Sequence, residues 1–309
     1  MIPNIITLQK QFKAKDKDII LTSFPKSGTT WLKSLLFSIL NRNQQSYDHH
    51  PLLTTNPHHL VPTLEFTIYA NHKIHDLSTM RSPRLLATHI PYASLPDSIK
   101  HCPESKIVYV SRNPLDVIVS MWYFGKDHPD RNLQSNYTIE DCVDEFCRGE
   151  FVFGPYWDHV FGYWKASLER AEKVLFLKYE EMKEDTFGQA KRVAEFIHRA
   201  DHWAGWSSYK AFLPVQCHNR VSFTGLPFSQ EEESDGVVEQ ILEMCSLSKL
   251  KDLDVNKHGQ VRPNVENKIY FRKGQVGDWM NHLTPSMVER VSMVTKEKLS
   301  GSGLSFKMD

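Results

Sequence analysis

Ser23-Phe24-Pro25-Lys26-Ser27-Gly28-Thr29-Thr30-Trp31 joins two segments of different periodicity, and its reading decides the fold. Before it, Asp18-Ile19-Ile20-Leu21-Thr22-Ser23-Phe24 is a short apolar run with β-branched residues, which predicts a buried strand. After it, Leu32, Leu35, Leu36, Ile39 and Leu40 recur at helical spacing, with Thr29 or Thr30 available to cap the helix start. In a strand, loop and helix unit, successive backbone N–H groups and the helix dipole favour a phosphate bound at the loop. The segment is not a Walker A loop, which ends in Gly-Lys-Ser/Thr and places a hydroxyl on Mg²⁺, because here Lys26 precedes Gly28. An ordinary Pro-Lys-Ser-Gly turn ending a strand is the competing reading.

The same grammar returns at Lys106-Ile107-Val108-Tyr109-Val110-Ser111, followed by Arg112-Asn113-Pro114, where Asn113 suits an N-cap and Pro114 the first helical position. Arg84 to Thr88 and Val174 to Tyr179 are further strand-like runs, the latter preceding a helix expected across Phe187 to Ile197. Strands alternating with helices predict an α/β fold: a single P-loop-like domain with a central, mainly parallel sheet flanked by helices on both faces. Ligands of such sheets gather at the carboxyl ends of strands, so Ser23 to Ser27, His89, Ser111 to Arg112 and Tyr179 are expected to converge. Thr54 to His75 is rich in Asn, Pro and His without clear periodicity and reads as an irregular surface excursion. The pairs His49-His50 and His58-His59 lack spaced partners for a metal and read as surface loop.

Composition narrows the function. Lys plus Arg and Asp plus Glu both number 37 in 309 residues, so no global field points to nucleic acid or an acidic membrane, and any anion site is local. Five cysteines, an odd number without a CxxC pair, suit a reducing compartment rather than a disulfide framework or zinc knuckle. With neither a signal-peptide pattern near the N-terminus nor an apolar stretch approaching the roughly 20 residues of a membrane span, a cytoplasmic location is expected.

Arg112, Asp116 and Ser120 fall at i, i+4 and i+8, one polar row on an otherwise apolar helix. Read alone, the row is either an Arg–Asp pair on an exposed edge or an anion site. Three segments then acquire a shared meaning. Pro25 to Trp31 resembles the 5′-phosphosulfate loop of the cytosolic sulfotransferase family. Val110-Ser-Arg-Asn-Pro-Leu-Asp-Val-Ile-Val-Ser120 resembles its 3′-phosphate segment, and Phe271-Arg-Lys-Gly-Gln-Val-Gly-Asp-Trp279 its Arg-Lys-Gly signature, in the same order. Gly154-Pro-Tyr-Trp-Asp158 and Gly162-Tyr-Trp-Lys165 are similar to the plant branch.

The resemblance implies a PAPS-dependent sulfotransferase that moves a sulfuryl group from 3′-phosphoadenosine 5′-phosphosulfate (PAPS) to a hydroxyl of a small organic acceptor such as a flavonoid, steroid or hormone. It implies a donor loop of Lys26, Ser27, Gly28, Thr29 and Thr30, with Trp31 stacking on adenine. Arg112 and Ser120 would hold the 3′-phosphate, Arg272, Lys273 and Gly274 would add a second clamp, and Tyr179, Cys245, Ser246 and Leu247 would line the nucleoside pocket. His89, at a strand end in Leu86-Ala-Thr-His-Ile-Pro91, would be the general base, and Lys26 would stabilise the leaving phosphate. No metal is expected, because a sulfuryl group carries less negative charge than a γ-phosphoryl and cationic side chains can replace the Mg²⁺ clamp. Nucleic acid and membrane are not expected partners.

The pattern also departs from the family. Met280 replaces a Lys, Leu283 a Phe and Pro285 a Val in the segment where animal members build a small dimer contact, which leaves a monomer or weak homodimer as the expectation. The N-terminus is shorter than usual. The domain is expected to run over residues 1–309 with an irregular insertion at about 198–226 holding Trp203, Trp206, Cys217 and Arg220: a tolerated surface excursion, a lid over the acceptor, or translated non-coding sequence. A catalytically impaired paralogue that binds only PAPS or its product 3′,5′-adenosine bisphosphate (PAP) is the runner-up function. A P-loop kinase, with ATP and Mg²⁺ dependence, is the third.

Overall fold

The computed structural model describes residues 2–43, 47–70, 76–128, 136–198 and 227–308. Each predicted strand forms. β1 (Ile19–Ser23), β2 (Leu85–Thr88), β3 (Lys106–Ser111) and β4 (Val174–Lys178) make one parallel sheet in the order β2-β1-β3-β4. Leu21 pairs with Ala87 on one side and Val108 on the other, and Val108 pairs in turn with Leu175. The side-chain period of two sends Ile20, Leu86, Ile107 and Tyr109 into one apolar layer and Ile19, Leu21, Val108 and Val110 into the opposite layer. Helices Pro114–Asp127, Tyr156–Glu169 and Pro285–Lys298 supply the first layer, and helices Thr29–Asn41 and Thr186–His198 the second. The sheet is therefore covered on both faces, which is why its strands are continuously apolar instead of alternating.

The order places the ligand site. From β1 the chain crosses to β2 at one edge and then returns to β3 on the other side of β1. The loops leaving β1 and β3 diverge at this switch point and open a crevice at the carboxyl ends of the strands. The β1 loop carries Lys26 and the β3 loop carries Arg112.

Two sequence expectations need correction. The stretch read as a surface excursion from Thr54 is, in its described part, packed structure. Asn56 caps a helical turn begun by Pro57, Leu64 and Glu65 are fully buried, and Thr63 bridges to Ala87 of β2. Proline-set turns and one π-helical turn at Leu64–Ile68 have no single repeat, so no period betrayed them. The histidine pairs divide as well. His49 and His59 are exposed, whereas His50 is buried and accepts from Leu52 N, and His58 faces the interior crevice. The expected insertion, with Trp203, Trp206, Cys217 and Arg220, lies outside the described residues apart from His198, the last residue of its helix.

Candidate active site

The crevice is one cavity of about 900 Å³ reached by side chains from widely separated segments. Its floor is the β1 loop. Lys26 sits at φ 69° and Gly28 at φ 109°, left-handed positions on either side of Ser27, whose amide donates to the Phe24 carbonyl at 3.3 Å. Gly28 has a second reason to lack a side chain: a Cβ there would lie 2.7 Å from the Tyr179 ring. The helix Thr29–Asn41 begins without the side-chain cap expected from Thr29 or Thr30. Both hydroxyls are engaged elsewhere, Thr29 Oγ1 with Ser23 Oγ at 2.7 Å and Thr30 Oγ1 with His58 Nε2 at 2.9 Å. The first-turn N–H groups, which have no intrahelical acceptor, are left facing the loop. The Lys26 ammonium stands 4.0 Å from the centre of the Phe124 ring, a cation–π contact at the cavity wall.

His89 follows β2 directly, so the parallel pairing of β2 with β1 carries it alongside Ser23. Its Nδ1 lies 2.8 Å from the Ser23 carbonyl oxygen. A carbonyl only accepts, so Nδ1 bears the proton and Nε2 keeps its lone pair for the cavity that His89 lines. The backbone around it is pinned. Glu65 Oε1 accepts from His89 N at 2.7 Å and its Oε2 from the Thr88 hydroxyl at 2.8 Å. His159 Nε2 donates to the His89 carbonyl at 2.9 Å and Tyr163 OH to the Ile90 carbonyl at 2.6 Å. Burial, opposed by the Ser23 hydrogen bond, pulls the His89 pKa down to about 4, with Lys33 and Lys26 lowering it further. Phe66 and Phe153 flank the imidazole with ring centres at 6.2 and 5.8 Å, giving this end of the cavity an aromatic lining.

The far wall assembles the cations. The row at Arg112, Asp116 and Ser120 is not an exposed edge: all three are buried, with Arg112 Nη2 3.3 Å from Asp116 Oδ2. Asp116 also accepts from Gly277 N at 2.9 Å and Trp279 N at 3.1 Å, so it binds the C-terminal segment to the helix Pro114–Asp127. Arg112 donates to the carbonyls of Gln275 at 2.6 Å and Lys26 at 3.4 Å and lies over the Tyr179 ring at 4.7 Å, bridging the β1 loop to the same segment. Arg272 and Lys273 share Asp278, at 2.6 and 2.8 Å. Burial alone would raise the Asp278 carboxyl, but the Lys273 and Arg272 hydrogen bonds hold it well below the usual carboxylate range. At Gly274, φ 60°, a Cβ would meet Leu247 Cδ2 at 2.5 Å and the Tyr179 hydroxyl at 3.3 Å, while its carbonyl accepts from Tyr179 OH at 2.7 Å.

Of the residues singled out in the sequence, Lys26, Gly28, Thr29, Thr30, Trp31 and His89 line this cavity, as do Arg112, Ser120, Tyr179, Leu247, Arg272, Lys273 and Gly274. Trp31 packs its edge on Tyr179 at 5.6 Å, with Lys183 5.4 Å from its ring centre. Three expected contacts do not reach it. The Ser27 side chain is buried with no hydrogen-bond partner. Cys245 is fully buried against the helix Thr29–Asn41, its Sγ 3.4 Å from Ser38 Oγ, and burial raises its thiol to about 12. Ser246 turns away to cap the helix Leu247–Asp252 through Lys249 N. His58 also lines the cavity, with Lys33 bonded behind it and Glu65 behind His89, and the sequence reading missed all three; Lys33 reads as an interior position of an apolar helix, and the other two fall in the segment without a period. Among the described residues no group of three or more His, Cys, Asp or Glu could hold a metal ion, the cysteines are free thiols, and no helix is long and apolar enough to cross a membrane.

Comparison with known proteins gives the family. A family model described as the sulfotransferase domain matches residues 16–204 and 213–303. Cytosolic sulfotransferase 14 of Arabidopsis thaliana is 44% identical over 313 residues, covering 99% of this chain and 82% of the relative. A crystal structure of an Arabidopsis thaliana sulphotransferase superposes with a TM-score of 0.69 at 38% identity, covering 99% of this chain and 84% of that one. Mouse sulfotransferase SULT7A1, crystallised with PAP, gives a TM-score of 0.69 at 26% identity, covering 97% of this chain and 89% of that one. Aligned over nearly its full span in sequence and in fold, the chain belongs to the sulfotransferase family, among the plant cytosolic sulfotransferases.

Proposed function

We propose that this enzyme uses PAPS as donor and a hydroxyl of a small, largely apolar organic molecule as acceptor, in the cytosol where its relatives are named. The donor contributes an activated sulfuryl group; the protein contributes charge, orientation and a proton acceptor. The observation that carries the reading is the tautomer of His89. With Nδ1–H given to the Ser23 carbonyl, Nε2 is an unprotonated base in the same cavity as the β1 loop and Lys26. His89 Nε2 takes the proton of the acceptor hydroxyl as its oxygen forms a bond to sulfur. The S–O bond to phosphate breaks, and the Lys26 ammonium with the amides of the loop stabilises the charge left on that phosphate.

The remaining cations suit the other end of the nucleotide. Arg112 Nε is buried without a hydrogen-bond partner, and Ser120, Arg272 and Lys273 line the same cavity. Trp31 offers a ring for adenine, and the Phe66 and Phe153 faces beside His89 suit an aromatic or alicyclic acceptor. The test is an assay with labelled PAPS against a panel of phenols, steroids and hydroxylated acids, run alongside His89→Ala. Sulfuryl transfer is expected from the wild type, and His89→Ala is expected to lose at least about 100-fold in turnover while keeping its affinity for PAP. Unchanged turnover in the variant removes the base assignment.

A further inference from the structure

Behind the β1 loop lies a buried polar chain that the mechanism above does not use. Lys33, one turn into the helix Thr29–Asn41, points inward at 0% exposure. Its ammonium has three acceptors: the Val61 carbonyl at 2.8 Å, Thr63 Oγ1 at 2.8 Å and His58 Nδ1 at 3.2 Å. Three acceptors use all three N–H groups of the ammonium; burial, opposed by Glu65, lowers the Lys33 pKa to about 7, and in the charged form that holds below that pH Lys33 can only donate to His58. With Nδ1 accepting, the neutral imidazole carries its proton on Nε2, which lies 2.9 Å from Thr30 Oγ1. Burial, followed by the charges of Lys33, His89 and Lys26, keeps His58 well below its ordinary pKa and therefore neutral. Tyr270 packs on the His58 ring with centres 4.1 Å apart and holds its plane.

Direction then propagates along the chain. Thr30 Oγ1 accepts from His58, so its own O–H is free to point away from His58, and Thr30 lines the cavity. We propose that Lys33 and His58 act as positioning residues that fix the Thr30 hydroxyl as a one-way donor aimed at the anionic end of the sulfuryl donor. This rests on the reading of PAPS as that donor. A hydroxyl polarised by an ammonium through one imidazole is a stronger donor than a freely rotating threonine, and its orientation is set before the anion arrives.

The test is a double-mutant cycle read by calorimetric titration with PAP at about pH 6, where Lys33 is charged. His58→Asn keeps an amide where Nδ1 stood, so Lys33 retains an acceptor, but it cannot reach Thr30. In the wild-type background PAP affinity is expected to fall about 10-fold, the usual scale for a hydrogen bond to a charged group. In a Thr30→Val background the same change is expected to cost nothing further. His58→Gln, which restores an N–H near the position of Nε2, is expected to recover most of the loss. Equal losses in both backgrounds, or no loss in the first, overturn the relay. A wild type that fails to bind PAP overturns the donor reading instead and takes the relay with it. Should His58→Asn fail to fold, the ¹⁵N shifts of His58 in the wild type decide: a protonated Nε2 and bare Nδ1 are expected, and the opposite tautomer defeats the proposal.

Discussion

Half-buried among aromatic rings, the His89 imidazole is held neutral, which suits the proposed role of base. Only the unprotonated imidazole can accept the acceptor's proton, and the His89 pKa lies at about 4 rather than the ordinary value of about 6.5. As pH falls through 6.5 the base therefore stays competent, losing activity only as pH approaches 4. The acidic limb of kcat/KM for the acceptor, measured with donor saturating, is expected well below 6.5; a limb centred there would show a water-exposed imidazole. The place of His89, at the carboxyl end of β2 and in the cavity, was legible from the sequence. Its orientation was not, because the partner that sets it, the Ser23 carbonyl, is 66 residues away and is brought close only by strand pairing.

At the scale of elements, the helix Pro114–Asp127 and the segment Phe271 to Trp279 behave as one clamp. Asp116 receives two backbone amides of that segment and pairs with Arg112, all out of water. Asp116→Ala strands two N–H groups and a guanidinium, and is expected to cost about 3 kcal/mol in urea denaturation and to weaken PAP binding. Loss of neither would show that the two segments are joined by other contacts. The i, i+4, i+8 spacing made this polar row visible in the sequence. Whether it faced water could not be read there, since the groups that bury Asp116 lie 161 and 163 positions downstream. The four strands were legible because burial on both faces leaves uninterrupted apolar runs, whereas the wall around His58 and Glu65, made of short turns, has no such signature.

For the molecule as a whole, buried neutral histidines make acid a hazard. The pKa values of His89 and His159 fall from 6.5 to about 4 and about 3, burial being the main cause in both. The unfolded chain binds these protons as pH drops through 6.5 while the fold refuses them, so stability is present above 6.5 and drains away toward pH 3. The shifts correspond to on the order of 3 kcal/mol for His89 and about 5 kcal/mol for His159. Glu65, whose carboxyl is raised by burial, works in the opposite sense and offsets part of the loss at the acid end. Urea midpoints are expected to fall between pH 7 and pH 4, and to fall less in His159→Asn; a flat profile would contradict the buried neutral state. Beneath all of this stands the carbonyl of Ser23. Because the atom that aims His89 belongs to the main chain, a substitution at position 23 leaves the acceptor in place, and the imidazole keeps its bearing whatever side chain stands there.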